Sequence, residues 1–226
     1  MPAVNYGVIW DVDGTLVDTA ELHFEAWRRT CQELGRDFTR ADFAATFGRR
    51  NPEIMTELFG NRFTATEVDE IAIRKEDYYR DAVRIDGVAL LPGVAVLLKG
   101  LQEAGFRQAV GSSAPRLNVD LILQLTNTGD YFAGISACED AERGKPDPQV
   151  FLIAAKHMDI APENCLVFED AVAGIQAARN GGMRSVAITF VGHHPAEKLQ
   201  AAGADRIVAT LEEVTVADVK RLLAAE

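Results

Sequence analysis

The sequence predicts an α/β protein: a doubly wound parallel sheet with a helical cap inserted after its first strand. Three observations predict it. From residue 93 onward, short apolar runs alternate with segments of helical periodicity. Several of those runs end in a carboxylate or a hydroxyl. Between residues 18 and 87 the pattern is helical throughout, with no convincing strand, which interrupts the alternation as an insertion would. The expected division is a catalytic core of residues 1–17 plus 88–226 and a cap of residues 18–87.

The first apolar run, Tyr6-Gly7-Val8-Ile9-Trp10, leads directly into Asp11-Val12-Asp13-Gly14-Thr15-Leu16-Val17-Asp18. A short apolar run bounded by a turn signal reads as a buried strand. In an extended chain Asp11 and Asp13 face the same way, roughly 6–7 Å apart. Gly14 lets the backbone turn sharply. Two carboxylates on one side of turning backbone N–H groups suit phosphoryl transfer with a metal ion, one acid attacking phosphorus and the other handling a proton. Alternatively, the same residues form an Asp-Gly turn, with Asp13 and Asp18 in turn or helix-capping roles.

After Asp18 the period becomes helical. Residues 19–34 place Leu22, Ala26, Trp27, Thr30, Cys31 and Leu34 on one face, with Gly35 as the stop. Further helices are expected near 39–47, 52–59 and 64–84. In the alternating part, helices are expected near 93–104, 115–126, 147–158, 171–181, 195–202 and 216–225. The matching strands fall near 107–111, 133–137, 164–168, 184–188 and 206–208. Gly105, Gly181 and Gly203 punctuate helix ends, and Pro115 and Pro195 fit first helical turns. Such alternation implies parallel strands joined by right-handed crossovers, and ligands bind beyond the carboxyl ends of those strands.

Three more segments place chemistry at those ends. Phe106 to Ser113 is a strand closing on Ser112-Ser113, whose hydroxyls can cap a helix or meet a phosphate at its N-terminus. In Gly144-Lys145-Pro146-Asp147-Pro148 a lysine sits in a turn stiffened by two prolines. Cys165-Leu166-Val167-Phe168-Glu169-Asp170-Ala171 is an apolar strand ending in two acids, hard oxygen donors of the kind Mg²⁺ takes.

Together these four segments resemble, in order, the four motifs of the haloacid dehalogenase superfamily of phosphotransferases, which have a Rossmann-like core. The resemblance covers essentially the whole chain and is closest to the β-phosphoglucomutase-like branch, with its small helical cap. It implies Asp11 as nucleophile and Asp13 as general acid/base. Ser112 would bind a phosphate oxygen, and Lys145 would neutralise Asp11 and the phosphate. The cofactor implied is Mg²⁺, held by Asp11, Asp170, the backbone carbonyl of Asp13, and Glu169 directly or through water. Asp18 to Trp27 is similar to that branch's first hinge and cap helix, which puts Thr19 and His23 near the site. The segment Arg74-Lys75-Glu76-Asp77-Tyr78-Tyr79 follows the branch's Arg-Lys-x-Asp-x-Tyr pattern.

A mutase must hold a second phosphate, for which Arg49, Arg50 and Lys75 are candidates; otherwise they are exposed helix charges. Ser113 is a further candidate for substrate binding. Where the mutases carry a hydroxyl, Lys and Asn, this chain has Ala114, Pro115 and Arg116. The expectation is therefore a Mg²⁺-dependent phosphatase on a small organic phosphate, a phosphosugar, with β-phosphoglucomutase as the alternative. A haloacid dehalogenase would lack Asp13 and the Glu169-Asp170 pair. A non-catalytic phospho-signalling module would gain nothing from a lid.

Composition narrows the partners. The chain has 226 residues, 48% hydrophobic and 25% charged, which fits a soluble globular domain with an insertion. A net charge of −11 argues against a nucleic-acid partner. Three cysteines without metal spacing fit a reducing cytoplasm, and no run is long enough to span a membrane. A cytoplasmic monomer acting on a small phosphorylated metabolite is expected. His193-His194 is read as a loop that could turn one ring towards the site.

Overall fold

Strands that are buried on both faces read as continuous apolar runs, and that is how this sheet is built. The computed structural model describes residues 5–224. Residues 1–4, where the expected core begins, and residues 225–226, with the last residue of the helix expected over 216–225, lie outside the described residues. The strands are β1 (Gly7–Trp10), β2 (Arg107–Gly111), β3 (Ile135–Ser136), β4 (Cys165–Glu169), β5 (Arg184–Ile188) and β6 (Arg206–Val208). They form one parallel sheet in the order β3-β2-β1-β4-β5-β6. Every residue of β1 and β4 is buried.

The helices are α1 (Ala20–Glu33), α2 (Arg40–Thr46), α3 (Asn51–Phe59), α4 (Ala65–Asp86), α5 (Val94–Glu103), α6 (Arg116–Thr126), α7 (Gln149–Met158), α8 (Val172–Asn180), α9 (Ala196–Ala202) and α10 (Val216–Ala224). None of the described helices is long and apolar enough to cross a membrane. The two-residue period of the strands sorts the core. Val8, Trp10, Val110 and Phe168 pack with α5, α6 and α10 on one face. Ile9, Ala109 and Val167 pack with α7 and α8 on the other.

Helices α1–α4 carry their own apolar cluster, centred on Phe24, Trp27, Phe43, Phe47, Ile54 and Met55. Thr39 with Asp42 and Thr64 with Glu67 form capping boxes that start α2 and α4. The chain leaves β1 and returns to the sheet through paired segments. Val17 bridges Leu90 in antiparallel fashion, and the Leu91 N–H donates to the Leu16 carbonyl at 2.9 Å.

Several elements differ from expectation. Helix α1 also buries Phe24, because it packs on two sides: Phe24, Trp27 and Cys31 face the cluster of α1–α4, while Ala26 joins the sheet core. The strand expected over 133–137 is regular only over Ile135–Ser136, although its hydrogen bonds to β2 begin earlier, with the Ala133 N–H donating to the Gln108 carbonyl at 2.7 Å and the Gly134 carbonyl accepting from the Val110 N–H at 3.0 Å. Pro115 and Pro195 sit one residue before their helices, with ψ of 147° and 145°. Gly181 does end α8, as its C-cap, and the left-handed turn follows one residue later at Gly182.

Candidate active site

Register brings the acids together. Gly7 pairs with both Arg107 and Cys165, and Trp10 with both Val110 and Phe168. Asp11 therefore leaves β1 level with Gly111-Ser112 on one side and Glu169 on the other. This is the point where the strand order reverses, the usual crevice of a doubly wound sheet. Gly14 closes the turn after Asp13 with φ of +85°, and a Cβ there would stand 2.1 Å from the Asp170 carboxylate. Only glycine meets both demands.

Lys145 ties two of the acids. Its Nζ lies 2.7 Å from Asp11 Oδ1 and 2.8 Å from Glu169 Oε2, all three side chains being buried. Burial alone would push the Lys145 ammonium down, but the two carboxylates raise it above its ordinary value. The other Glu169 oxygen accepts the Ala171 N–H at 3.0 Å, so both oxygens of Glu169 are engaged. Asp170 differs. It is buried, yet among the described residues no donor or cation is bonded to its carboxylate. Burial, then Glu169 and Asp11, push its pKa well up. Burial and Glu169 also raise Asp11, against the pull of Lys145.

One oxygen each from Asp11, Glu169 and Asp170 lies within 4.8 Å of the others. A buried carboxylate without a partner is costly. The donor set is all hard oxygen, which fits a divalent cation such as Mg²⁺. Asp11 keeps one oxygen and Asp170 both for such an ion, while both oxygens of Glu169 already accept hydrogen bonds, from Lys145 and the Ala171 N–H.

Asp13 is held by a different network. Its Oδ1 accepts from Thr19 Oγ1 at 2.5 Å, from His23 Nε2 at 3.2 Å and from the Tyr79 hydroxyl at 3.3 Å. The Lys75 ammonium lies 2.8 Å from His23 Nδ1. An ammonium can only donate, so Nδ1 accepts and Nε2 carries the hydrogen that points at Asp13. The His23 ring stacks on Tyr79 with centroids 3.9 Å apart. Burial opposes ionisation of Asp13, but His23 and the Thr19 hydroxyl outweigh it and hold the carboxyl at about 2.

Lys75 is 1% exposed. Besides His23 it meets Glu76 Oε1 at 3.0 Å. Glu76 in turn accepts from Asn51 Nδ2 and from Asn118 Nδ2, each at 2.7 Å. Burial opposes its charge, yet the Lys75 ammonium and the two amides hold it at about 2. Glu76, Tyr79, Asn51 and Asn118 were not singled out from the sequence. The only signals were in Arg-Lys-x-Asp-x-Tyr, where Glu76 falls at the first variable position and Tyr79 at the closing Tyr.

Asp11, Asp13, His23, Asn51, Lys75, Glu76, Lys145, Glu169 and Asp170 line a cleft between the helical block and the sheet. Ser112 and Ser113 both line it. The Ser112 Oγ accepts the Ala114 N–H at 3.1 Å, leaving its own hydrogen free to donate. Arg49 lines the cleft, 3.6 Å from Glu53 and 3.9 Å from Glu57. Arg50 is turned away from it: its Nη1 donates to the carbonyls of Ala141 and Glu142, both at 3.1 Å. His193 packs its ring against Phe43 and Phe47, 5.2 and 4.6 Å between centroids. Burial lowers its pKa.

A family model of haloacid dehalogenase-like hydrolases matches residues 7–182. The chain is 34% identical over 187 residues to a β-phosphoglucomutase of Bacillus subtilis, covering 80% of this chain and 82% of that one. It is 32% identical over 189 residues to a fructose-1-phosphate phosphatase of Escherichia coli, covering 82% and 97%. A crystal structure of β-phosphoglucomutase from Clostridium difficile superposes with a TM-score of 0.86 at 25% identity, covering 97% of each chain. The protein belongs to the haloacid dehalogenase-like hydrolases. Within that family it is a β-phosphoglucomutase-like enzyme, a phosphatase or a phosphomutase.

Proposed function

We propose that the protein is a Mg²⁺-dependent phosphatase of a small phosphosugar, working through a phosphoryl group carried on Asp11. The observation that carries this reading is the buried cluster in which Asp11 is paired with Lys145 beside the unpartnered Asp170. Residues 18–87 act as a lid over a core formed by 1–17 and 88–226.

Asp11 attacks phosphorus, forming an oxygen–phosphorus bond as the bond to the sugar oxygen breaks. Lys145 and the Ser112 hydroxyl stabilise the phosphoryl oxygens. A divalent ion on Asp11, Asp170 and the Asp13 carbonyl would supply the remaining positive charge. Asp13, ionised as its partners hold it here, takes a proton from the water that frees Asp11; to give one to the departing sugar oxygen it first takes one up on Oδ2, the oxygen that Thr19, His23 and Tyr79 leave free. Thr19, His23 and Tyr79 orient it, and Lys75 fixes the His23 tautomer.

Two observations favour water over a second sugar hydroxyl as acceptor. Ala114 and Pro115 line the cleft with side chains that cannot bind phosphate. Arg116 is taken up by Asp140 at 2.6 Å and the Ile135 carbonyl at 2.8 Å. β-Phosphoglucomutase remains the second reading, supported by the 34% identity to such an enzyme. Phosphorus NMR with β-glucose 1-phosphate, its bisphosphate activator and Mg²⁺ decides between them. Release of free phosphate is expected; conversion to glucose 6-phosphate with negligible free phosphate would install the mutase instead.

A further inference from the structure

Every cation that lines the cleft already faces a carboxylate. Five carboxylates face it, Asp11, Asp13, Glu76, Glu169 and Asp170, against three cations, Lys145, Lys75 and Arg49. Each cation has an acidic partner. Lys145 is shared by Asp11 and Glu169. Lys75 is bound to Glu76. Arg49 stands between Glu53 and Glu57. Five carboxylates and three cations leave a formal charge of −2, which one divalent cation cancels. The cleft can then take one phosphate at Asp11, but no cation is left over for another.

The rest of the wall is built for a neutral group. Trp27, Phe43, Phe47 and Ile54 give apolar surface. Asn51 and Glu76 give hydrogen-bond acceptors. Glu76 is 4% exposed and pinned by Asn51, Asn118 and Lys75, so its carboxylate cannot swing aside to admit an anion. A carboxylate has about four acceptor sites; with three donors already bound, one remains for a substrate hydroxyl.

We infer that the cleft selects phosphate esters carrying a single phosphate on a neutral, hydroxyl-bearing group, and that Glu76 is the residue that excludes a second phosphate. This rests on the hydrolase reading of Asp11. Glu53 and Glu57 assist from outside the cleft by occupying Arg49.

Phosphate release in the presence of Mg²⁺ tests it, with fructose 1-phosphate, fructose 1,6-bisphosphate and 4-nitrophenyl phosphate as substrates. The monophosphate should exceed the bisphosphate in kcat/KM by about tenfold or more, the scale of one unfavourable like-charge contact. Glu76→Gln should narrow that ratio. Because Glu76→Gln also touches the Lys75–His23 network, the double variant E53Q/E57Q is the cleaner arm. It should raise kcat/KM for the bisphosphate about threefold by freeing Arg49, and leave 4-nitrophenyl phosphate unchanged. A wild-type enzyme that prefers the bisphosphate, or a ratio that neither variant moves, overturns the inference and leaves the hydrolase reading standing. No release from any of the three esters overturns the hydrolase reading, and the inference with it.

Discussion

Arg50 donates to the carbonyl of Ala141 across the mouth of the cleft, at 3.1 Å, and its stem lies over Gly144, where a Cβ would stand 2.7 Å from its Cδ. Glu53, one turn on, crowds the same glycine. The start of α3 is thus fastened to the loop that carries Lys145. Arg50→Ala removes a charge-assisted bond that is partly exposed, worth about 1 kcal/mol. A severalfold rise in KM with kcat nearly kept is the expected outcome, read from steady-state phosphate release. An unchanged KM would mean that the contact does not hold the lip closed.

Asp11→Asn should abolish turnover, by on the order of 10³-fold or more, because an amide cannot form the acyl phosphate. Far-UV circular dichroism should be unchanged, since Lys145 keeps Glu169 as partner. Turnover within a few-fold of wild type would remove Asp11 as nucleophile.

Asp170→Asn should make the metal-free protein more stable, on the order of 1–3 kcal/mol, by deleting a buried carboxylate that has no partner. The same change should abolish the rise in Tm that Mg²⁺ gives the wild type. Melting curves with and without Mg²⁺ read both effects. A variant that still gains its full Mg²⁺ stabilisation would move the ion away from Asp170.

Glu76 gives a pH dependence with a definite sign. Its folded pKa is held at about 2, below the ordinary 4.5. The stabilisation is therefore complete above about 4.5 and is lost as pH falls towards 2. Glu76→Gln should be less stable than wild type at neutral pH, and the difference should shrink over that window. Urea titrations at a series of pH values measure it; a gap constant down to pH 2 would contradict an ionised Glu76.

Gly14→Ala places a methyl in the Asp170 carboxylate and demands φ of +85° from an L side chain. Loss of activity together with a cost of about 1 kcal/mol or more is expected. A fully active, equally stable variant would show that this turn has room to shift.

The sheet and its acids were legible because β1, β2 and β4 are short, largely apolar runs that end on or just before a candidate site residue. Local order carried that information: Trp10 then Asp11, Gly111 then Ser112, Phe168 then Glu169. The helical block was legible in its elements and less so in its contacts. Lys75 reads either as a phosphate ligand or as an exposed helix cation, and only the fold brings it to His23, in another helix, and buries it. Glu76 reads as its ordinary neighbour; its partners Asn51 and Asn118 come from α3 and α6, and no periodicity reports such pairings. Phe24 was missed because a helix buried on two sides has no single apolar stripe.

The paired segments at the base of α1–α4 have one more consequence. Because Val17 and Leu90 are bridged neighbours, the chain between them leaves and rejoins the core through one narrow neck, and its other ties to the core are side-chain contacts such as Glu76–Asn118 and Arg50–Ala141. A different insert with similarly spaced ends could hang from the same neck without disturbing β1 or β2. The groups proposed to move the phosphoryl group, Asp11, Ser112, Lys145 and Asp170, lie outside that insert. Lineages could therefore exchange what is recognised while leaving untouched how the phosphoryl group is moved.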